Sequence, residues 1–232
     1  MQTLTAVAHR GDPYRFRENT LDSLRSALDQ GADAVEIDVR LTRDGVPVLL
    51  HDDTLRRLWD VDRPLRALSA DELRGLTAGG VPTLAQALAA TGDSRVMVDL
   101  CGRVDRRTVE RTVDVVRQSG AGDRVYWSAG AEAMLAVRAA DPAAEIALTW
   151  TTLAPPRPAL LAAVRPRWLN YRFSLVGREL AARIHRDGCL LSVWTPDTRR
   201  SMRRLVDAGV DSITTNRIDV LHALRSEQGR RP

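Results

Sequence analysis

Histidine and arginine side chains stand directly after short apolar runs of this chain, where β-strands would end. His9 and Arg10 follow the run "TAVA" at residues 5–8, and His51 follows "VPVLL" at residues 46–50. An imidazole acts as a general acid or base near neutral pH, and a guanidinium offers a planar fork to a phosphate or carboxylate. The placement therefore indicates acid–base chemistry beside an anion-binding site.

Carboxylates occupy one face of two further apolar runs. In "AVEIDVRL" (34–41), the two-residue period of a strand places Glu36 and Asp38 on one face, and in "RVMVDL" (95–100) it does the same for Asp99. Any one of these acids could be solvated or paired with an arginine. Three that converge in a partly buried site repel one another unless a cation or a proton is present. The set therefore predicts a hard divalent cation, Mg²⁺ or Ca²⁺, rather than zinc.

The elements that must position these residues alternate between β-like and amphipathic helical runs, which is typical of a parallel α/β sheet. Closure into a single (β/α)8 TIM-type barrel is favoured, somewhat irregular because there are nine strand candidates for eight positions. One of them would be a hairpin or accessory strand, and the link "TRDG" after the second leaves no room for a helix. The predicted strands are 5–8, 34–39, 46–51, 95–100, 124–128, 145–150, 168–173, 190–194 and 212–215.

Helix boundaries are marked by capping residues. Asn19 is predicted to cap the first helix, and Ser69 with Glu72 and Thr83 with Gln86 fit capping boxes. The barrel places active sites at the carboxyl ends of its strands, so the histidines and carboxylates should meet there. The helical runs are predicted at 20–31, 83–92, 105–120, 178–188 and 198–209.

Length and composition favour one domain. The chain has 232 residues, 44% of them hydrophobic, which suits a single barrel over residues 1–226 followed by a frayed tail at 227–232. No apolar run approaches the roughly 20 residues of a membrane helix, and the N-terminal residues lack the pattern of a signal peptide. We therefore expect a cytoplasmic protein without stable membrane insertion.

Charge and cysteine content exclude several other classes of protein. The net charge is +4, and all 34 basic residues are arginine, spread along the chain and often beside Asp or Glu. Such a mixed surface does not indicate a nucleic-acid-binding protein. Cys101 and Cys189 have no zinc-ligand spacing, and an unexported protein gives little reason to expect a disulfide. The predicted metal site, the two histidines and Arg10 together indicate phosphate-ester chemistry, so the expected partner is a small phosphodiester. The oligomeric state stays open.

An ordered set of motifs resembles the glycerophosphodiester phosphodiesterase family over nearly the whole chain. The motifs are "HRG" (9–11), "ENT" (18–20), "GADAVEIDVRLTRDGVPVLLHD" (31–52), "VPTLAQAL" (81–88), "SVWT" (192–195) and "GVDSITTN" (209–216). The resemblance implies a barrel that hydrolyses glycerophosphodiesters to glycerol 3-phosphate and an alcohol. It also implies that His9 and His51 are the acid–base pair, that Glu36 and Asp38 bind metal, and that Arg10 contacts phosphate.

Further site residues come from the same resemblance. Glu18 lies in the "EN" motif and would support the loop or the metal shell, and Trp194 would stand at the substrate wall. The family usually has Glu-x-Lys where this chain has Asp99 and Cys101. Asp99 is still expected to bind metal, as in the related sphingomyelinase D-type phospholipases. Arg10, Glu18, Trp194 and Cys101 are therefore assigned to the substrate-binding region.

Two departures from the family pattern change the expected chemistry. Cys101 removes a cation, and another arginine, such as Arg103 or Arg172, would have to supply that charge. Asn216 stands where the family often has Asp. Besides the leading function, two alternatives follow: a lysophospholipase D-like phosphodiesterase with an apolar entrance, and a degenerate barrel that binds phosphodiesters without turnover. His185 and His222 fall in helical runs and are interpreted as non-catalytic.

Overall fold

Eight parallel strands close into a barrel in the computed structural model, which describes residues 4–102 and 104–228. Going round the barrel, the order is β1, β2, β4, β5, β6, β7, β8 and β9, and β9 pairs with β1 again. This confirms the predicted TIM-type architecture. The strands are β1 Thr5–His9, β2 Ala34–Leu41, β3 Pro47–Leu49, β4 Arg95–Leu100, β5 Val125–Ala129, β6 Glu145–Trp150, β7 Trp168–Arg172, β8 Leu190–Trp194 and β9 Ser212–Thr215.

The ninth strand is the accessory hairpin strand expected from the sequence. β3 runs antiparallel to β2, with Val39 opposite Leu49, and it takes no position in the barrel. The turn between them is tight because Gly45 adopts a positive φ of 84° and its N–H donates to the carbonyl of Thr42. This hairpin returns the chain from the end of β2 to the level of Asp38, where the backbone N–H of Leu50 donates to the Asp38 carbonyl, and so brings His51 to the barrel mouth.

Helices connect the barrel strands and cover the outside, and each of the five predicted helical runs contains one. None of the described helices is long and apolar enough to cross a membrane. The domain boundary predicted at 226 falls inside the last helix, and residues 229–232 of the predicted tail lie outside the described residues. Within the described ranges, the helices are α1 Leu21–Asp29, α2 Arg56–Trp59, α3 Ala70–Leu76, α4 Leu84–Ala90, α5 Arg106–Gln118, α6 Ala131–Ala140, α7 Pro158–Val164, α8 Arg178–Arg186, α9 Arg199–Ala208 and α10 Ile218–Gln228.

The capping predictions are confirmed for two helices and wrong for a third. Both capping boxes form, at Ser69 before α3 and at Thr83 before α4. Asn19 does not cap α1. Thr20 is the cap, its hydroxyl accepting from the backbone N–H of Ser23. Asn19 lies one residue too early and in the left-handed region, with φ of 57°, so its side chain turns into the barrel instead.

The two faces of each barrel strand have separate tasks. Val35, Ile37 and Val39 of β2 point outward into the main apolar core under the helices. Inward-facing residues form a second apolar cluster that fills the lower barrel: Val7, Ala34, Met97, Tyr126, Ala147 and Trp168. Strand alternation then places Glu36 and Asp38 above this layer, facing inward at the carboxyl ends.

Candidate active site

A cavity of about 300 Å³ opens at the carboxyl ends of the barrel strands. Eight of the nine predicted site residues line it: His9, Arg10, Glu36, Asp38, His51, Asp99, Cys101 and Trp194. The ninth, Glu18, lies behind Arg10, to which it is hydrogen-bonded at 2.9 Å. Chain positions more than 180 residues apart are thus brought together by closure of the barrel.

Glu36, Asp38 and Asp99 form a buried acidic cluster. Asp38 and Asp99 are register partners on β2 and β4, and one ligand oxygen of each of the three carboxylates lies within 4.8 Å of the others. Burial, followed by the charge of Asp38, raises the pKa of Glu36 well above its usual value and that of Asp99 to about 7. In the absence of a cation, burial and the neighbouring charge therefore favour the protonated forms of Glu36 and Asp99.

Neighbouring donors hold two of these carboxylates in place. The backbone N–H of Arg10 donates to Glu36 Oε2 at 2.9 Å, and the amide of Asn19 donates to Asp38 Oδ2 at 2.8 Å. Arg10 Nε lies 3.0 Å from the same Asp38 oxygen, as an ion pair without hydrogen-bond geometry. Glu36 Oε1 and Asp38 Oδ1 receive no hydrogen bond from the described residues. Oxygen donors arranged in this way fit a hard divalent cation.

Gly11 allows the loop after β1 to place these donors. Its φ is 84°, and a Cβ at this position would lie 2.4 Å from the hydroxyl of Ser23. The Ser23 hydroxyl accepts from the backbone N–H of Asp12 and donates to the carbonyl of Arg10. A larger residue at position 11 would therefore displace the loop that presents His9 and Arg10.

His9 is oriented by a pair of side chains that follow the neighbouring strands β9 and β8. Its Nδ1 lies 2.8 Å from Asn216 Oδ1, and the Asn216 amide donates to Asp197 Oδ2 at 2.7 Å. Since the Asp197 carboxylate can only accept, the Asn216 oxygen must face His9, and His9 Nδ1 must carry the proton. His9 Nε2, 4.0 Å from Glu36 Oε2, is then the basic nitrogen. Burial and the neighbouring Arg10 lower the pKa of His9.

His51 has a charged partner instead. Its Nδ1 lies 2.7 Å from Asp52 Oδ1, and Arg57 Nε donates to the other Asp52 oxygen at 2.6 Å. Arg57 also donates twice to Glu18, at 2.6 and 3.0 Å. Hydrogen bonds from Arg57 and then His51 lower the pKa of Asp52 to about 2. Burial acts to raise the pKa of Glu18, but Arg57 and Arg10 outweigh it and lower that pKa.

Cys101 brings no positive charge to the cavity. Its sulfur lies 3.6 to 3.8 Å from the carbonyls of Val39, Leu50 and His51, and burial, with the charge of Asp38, raises the pKa of the thiol. Of the two arginines expected to replace a lysine here, Arg172 is exposed and does not line the cavity. Arg103 lies outside the described residues. Arg10 is the one arginine of the described chain that lines the cavity.

The cavity wall that continues from the acidic cluster is polar, and Ser128 is the register partner of Asp99. Ser128, Thr149 and Asn170 project from three neighbouring strands, β5 to β7, and the Asn170 amide donates to Thr149 Oγ1 at 3.2 Å. Thr214 of β9 also lines the cavity. This wall matches the size and polarity of a small hydroxylated substrate better than an acyl chain.

Several of these residues were missed by sequence reasoning. Asp52 and Arg57 stand in the segment "HDDTLRR" that was singled out for His51, and the Glu18 contact needed the folded loop. Asp197 follows "SVWT" by two positions, but nothing in the sequence indicates that it meets Asn216. Strand alternation alone could have placed Ser128 and Thr149 on inward faces.

Comparisons with known proteins agree with this geometry. The model of the glycerophosphoryl diester phosphodiesterase family matches residues 9–220. A glycerophosphodiester phosphodiesterase of Caldanaerobacter subterraneus subsp. tengcongensis is 29% identical over 93% of this chain and 95% of its own length. A phosphodiesterase from Oleispira antarctica, solved in complex with the product sn-glycerol-3-phosphate, superposes with a TM-score of 0.86 at 25% identity, covering 97% of both chains.

A second solved structure supports the fold. The glycerophosphodiester phosphodiesterase of Thermotoga maritima superposes with a TM-score of 0.83 over 97% of this chain and 99% of its own, at 20% identity. The fold is therefore shared with other structures at low sequence identity.

Proposed function

The chain belongs to the glycerophosphoryl diester phosphodiesterase family, and we propose that it hydrolyses small glycerophosphodiesters to glycerol 3-phosphate and an alcohol. The observation that carries this proposal is one cavity lined by a buried acidic cluster and two histidines, each with its Nδ1 engaged by a fixed acceptor. The Oleispira relative holds glycerol 3-phosphate as product, which supports the same product here.

Glu36, Asp38 and Asp99 would hold a divalent cation, Mg²⁺ or Ca²⁺. When bound, it supplies positive charge next to a phosphate oxygen. The raised pKa values of Glu36 and Asp99 support this assignment. A bound cation would offset the burial and the repulsion that disfavour the ionised carboxylates. Arg10 adds a fixed positive charge at the same edge, held by Glu18 and Asp38.

The two histidines divide the proton transfers between them. His9 carries its proton on Nδ1 and keeps Nε2 basic, so it accepts the proton of the attacking oxygen. His51, whose Nδ1 is held by the Asp52 carboxylate, is the second imidazole of the site, and it donates a proton to the departing alcohol oxygen. The different partners of the two rings support these roles.

The function is tested by measuring glycerol 3-phosphate release from glycerophosphocholine and glycerophosphoethanolamine, with Mg²⁺, with Ca²⁺ and with chelator. We expect release that needs the divalent cation and falls at least 10²-fold in His51→Gln. His222→Gln is the matched control, since His222 is exposed on α10. Metal-independent release, or equal rates in both variants, would contradict the proposal.

One observation favours a second candidate function, binding of phosphodiesters without turnover. Cys101 leaves the cavity without the additional cation that the family resemblance implies at this position. Folded protein that binds a glycerophosphodiester in calorimetry, but releases no glycerol 3-phosphate with either cation, would establish this alternative. Lysophospholipids belong in the same assay as a third substrate class.

A further inference from the structure

We propose that a groove beside the catalytic cavity binds a second anionic group, a carboxylate or a phosphate, on the alcohol that the substrate releases. This site rests on the phosphodiesterase function proposed above and names its substrate class. The groove, here called the arginine groove, has a volume of about 390 Å³. Its charged lining residues are Arg40, Arg43, Arg66, Arg107, Asp53 and Asp105.

Positive charge in the arginine groove exceeds what its own acids neutralise. Four arginines and two aspartates line it. Arg40 pairs with Asp53 at 2.5 Å, and Arg43 pairs at 2.9 Å with Glu72 from α3. Arg66 and Arg107 lie within ion-pair distance of no carboxylate of the described residues, and Arg107 acts on the neighbouring Asp105 only at longer range, where its charge helps to lower the pKa of that carboxyl. Two guanidinium groups are therefore available to an anionic ligand.

The other aspartate of the groove is already engaged. Asp105 caps α5, accepting from the backbone N–H of Thr108 at 2.8 Å and from its hydroxyl at 2.7 Å. Arg107 in the first turn of α5 reaches across to the β2–β3 turn, where a Cβ on Gly45 would lie 2.6 Å from its guanidinium. Arg107 thus lies over the turn of the hairpin, at one side of the groove.

The arginine groove adjoins the catalytic cavity through one small residue. Cys101 lines both. Its sulfur lies 3.6 Å from the carbonyl of His51, and Arg40 Nε donates to that same carbonyl at 2.8 Å. Cys101 thus stands between the cavity and the groove, and in this proposal the alcohol group of the substrate extends from the phosphate over Cys101, next to the proposed acid, His51.

The chemistry of the reaction fixes which part of the substrate reaches the groove. Glycerol 3-phosphate is the constant product of the proposed reaction, so an additional anionic group must be on the variable alcohol. Guanidinium groups bind carboxylates and phosphates through paired hydrogen bonds, and a choline or ethanolamine ammonium would be repelled there. Cys101 carries no charge, so the excess positive charge near this shared wall lies in the arginine groove.

The test compares two diesters that differ by one carboxylate, glycerophosphoserine and glycerophosphoethanolamine. A glycerophosphoglycerol that carries a terminal phosphate monoester distinguishes phosphate from carboxylate as the preferred group. We expect at least a tenfold higher kcat/KM for one or both anionic substrates over glycerophosphoethanolamine. Raising the salt concentration should reduce this preference, because the groove is open to solvent.

Variants assign the preference to the groove. Arg66→Gln combined with Arg107→Gln should raise KM for the anionic diester about tenfold, leaving kcat and the ethanolamine diester unchanged. Arg200→Gln is the matched control, because Arg200 is exposed on α9 and forms no ion pair within the described residues. Equal rates on the paired substrates, or a preference that persists in the double variant, would overturn the proposal.

Binding measurements separate this proposal from the enzymatic one. Calorimetric Kd values for the same diesters are measured on the wild type and the Arg66/Arg107 double variant, whether or not turnover occurs. In one outcome, the wild type binds the anionic diester more tightly, the double variant loses this preference, and no diester is turned over. That outcome supports the arginine groove and contradicts the hydrolase function. Turnover of the diesters without tighter binding of the anionic one contradicts the proposed site in the groove and leaves the hydrolase function standing.

Discussion

The two histidines of the site differ in the group that accepts from Nδ1, and this difference is set by single residues. Asn216 offers His9 a neutral amide oxygen, whereas Asp52 offers His51 a carboxylate. A carboxylate stabilises the protonated ring more than an amide does. The family often has Asp at the position of Asn216. The neutral Asn216 found here therefore fits a role of His9 as a base rather than as an acid.

The hydrogen bond between Asn216 and Asp197 is tested by exchanging the amide and the acid between these two positions. Asn216→Asp alone would put two carboxylates in contact, so we expect kcat to fall about 10²-fold. The double exchange Asp197→Asn with Asn216→Asp restores one donor and one acceptor, and most of the activity should return. Because His9 then faces a carboxylate, the acidic limb of the kcat/KM profile should move to higher pH.

A purely structural role for Asn216 would give a different result. The exchange would then change thermal stability, and the acidic limb would stay where it is in the wild type. Activity and stability are therefore measured on the same preparations, with the pH profile as the deciding readout.

Asp99 predicts how the stability of the metal-free protein depends on pH. Its carboxyl stays protonated in the folded state up to about pH 7, but its ordinary pKa is 3.8. Between these values the Asp99 carboxyl binds more protons in the folded state than in the unfolded chain, so its contribution to the free energy of unfolding should decrease as pH rises from about 4 to about 7. Thermal unfolding in chelator at several pH values measures this.

Asp99→Asn and added cation are the comparisons for this prediction. The variant should show a shallower loss of Tm with pH, the remainder coming from Glu36. Mg²⁺ or Ca²⁺ should raise the wild-type Tm more at pH 8 than at pH 5, since ionised carboxylates bind the cation. If Tm changes with pH to the same extent in the wild type and in the variant, the pH dependence is not due to Asp99.

At the scale of elements, Arg57 joins two loops that carry the proposed chemistry. It begins in the short helix α2 and reaches Asp52 in the loop after β3 and Glu18 in the loop after β1. Glu18 in turn contacts Arg10, so an unbroken series of hydrogen bonds connects the His51 side of the cavity with the Arg10 side. One guanidinium thus sets the relative position of two loops.

Arg57→Ala is expected to lower kcat by roughly 10- to 100-fold, because both loops lose a shared donor. Arg57 is half-exposed, so the free energy of unfolding should change by about 1 kcal/mol or less. Arg57→Lys should recover little, since one ammonium cannot bridge both acids with the geometry of a guanidinium. Arg56→Ala, the exposed neighbour in α2, is the control and should keep wild-type activity.

At the scale of the whole molecule, the outward face of each barrel strand packs in the core, and the inward face at the mouth of the barrel carries the residues of the site. Outward residues such as Ile146 of β6 are fully buried under helices, while Thr149, the inward residue at the mouth of the same strand, lines the cavity. The barrel can therefore lose apolar contacts outside without moving the cavity, provided that it stays folded.

Ile146→Ala should lower the free energy of unfolding by about 2–5 kcal/mol, through lost burial and the cavity left behind. The kcat of the folded fraction should remain within twofold of wild type. Leu135→Ala on α6 is the control, because Leu135 is 40% exposed and should change stability little. Urea unfolding and activity at low urea concentration measure the two effects separately.

The sequence by itself determined the strands, the closed barrel and most of the site. Alternation in "AVEIDVRL" was enough to place Glu36 and Asp38 inside, because strand geometry allows only two faces. The convergence of His9, His51 and Asp99 followed from the rule that active sites of such barrels lie at the carboxyl ends of strands. These predictions depend on local periodicity, which a single chain displays directly.

Contacts between loops were decided only by the tertiary structure. The pairs Asn216 with His9, Arg57 with Glu18 and Asn19 with Asp38 join positions 19 to 207 residues apart, and no local period encodes them. The side chains in these loops have several donors and acceptors that any neighbour could satisfy. Which partner each one finds depends on where the closed barrel brings its loops.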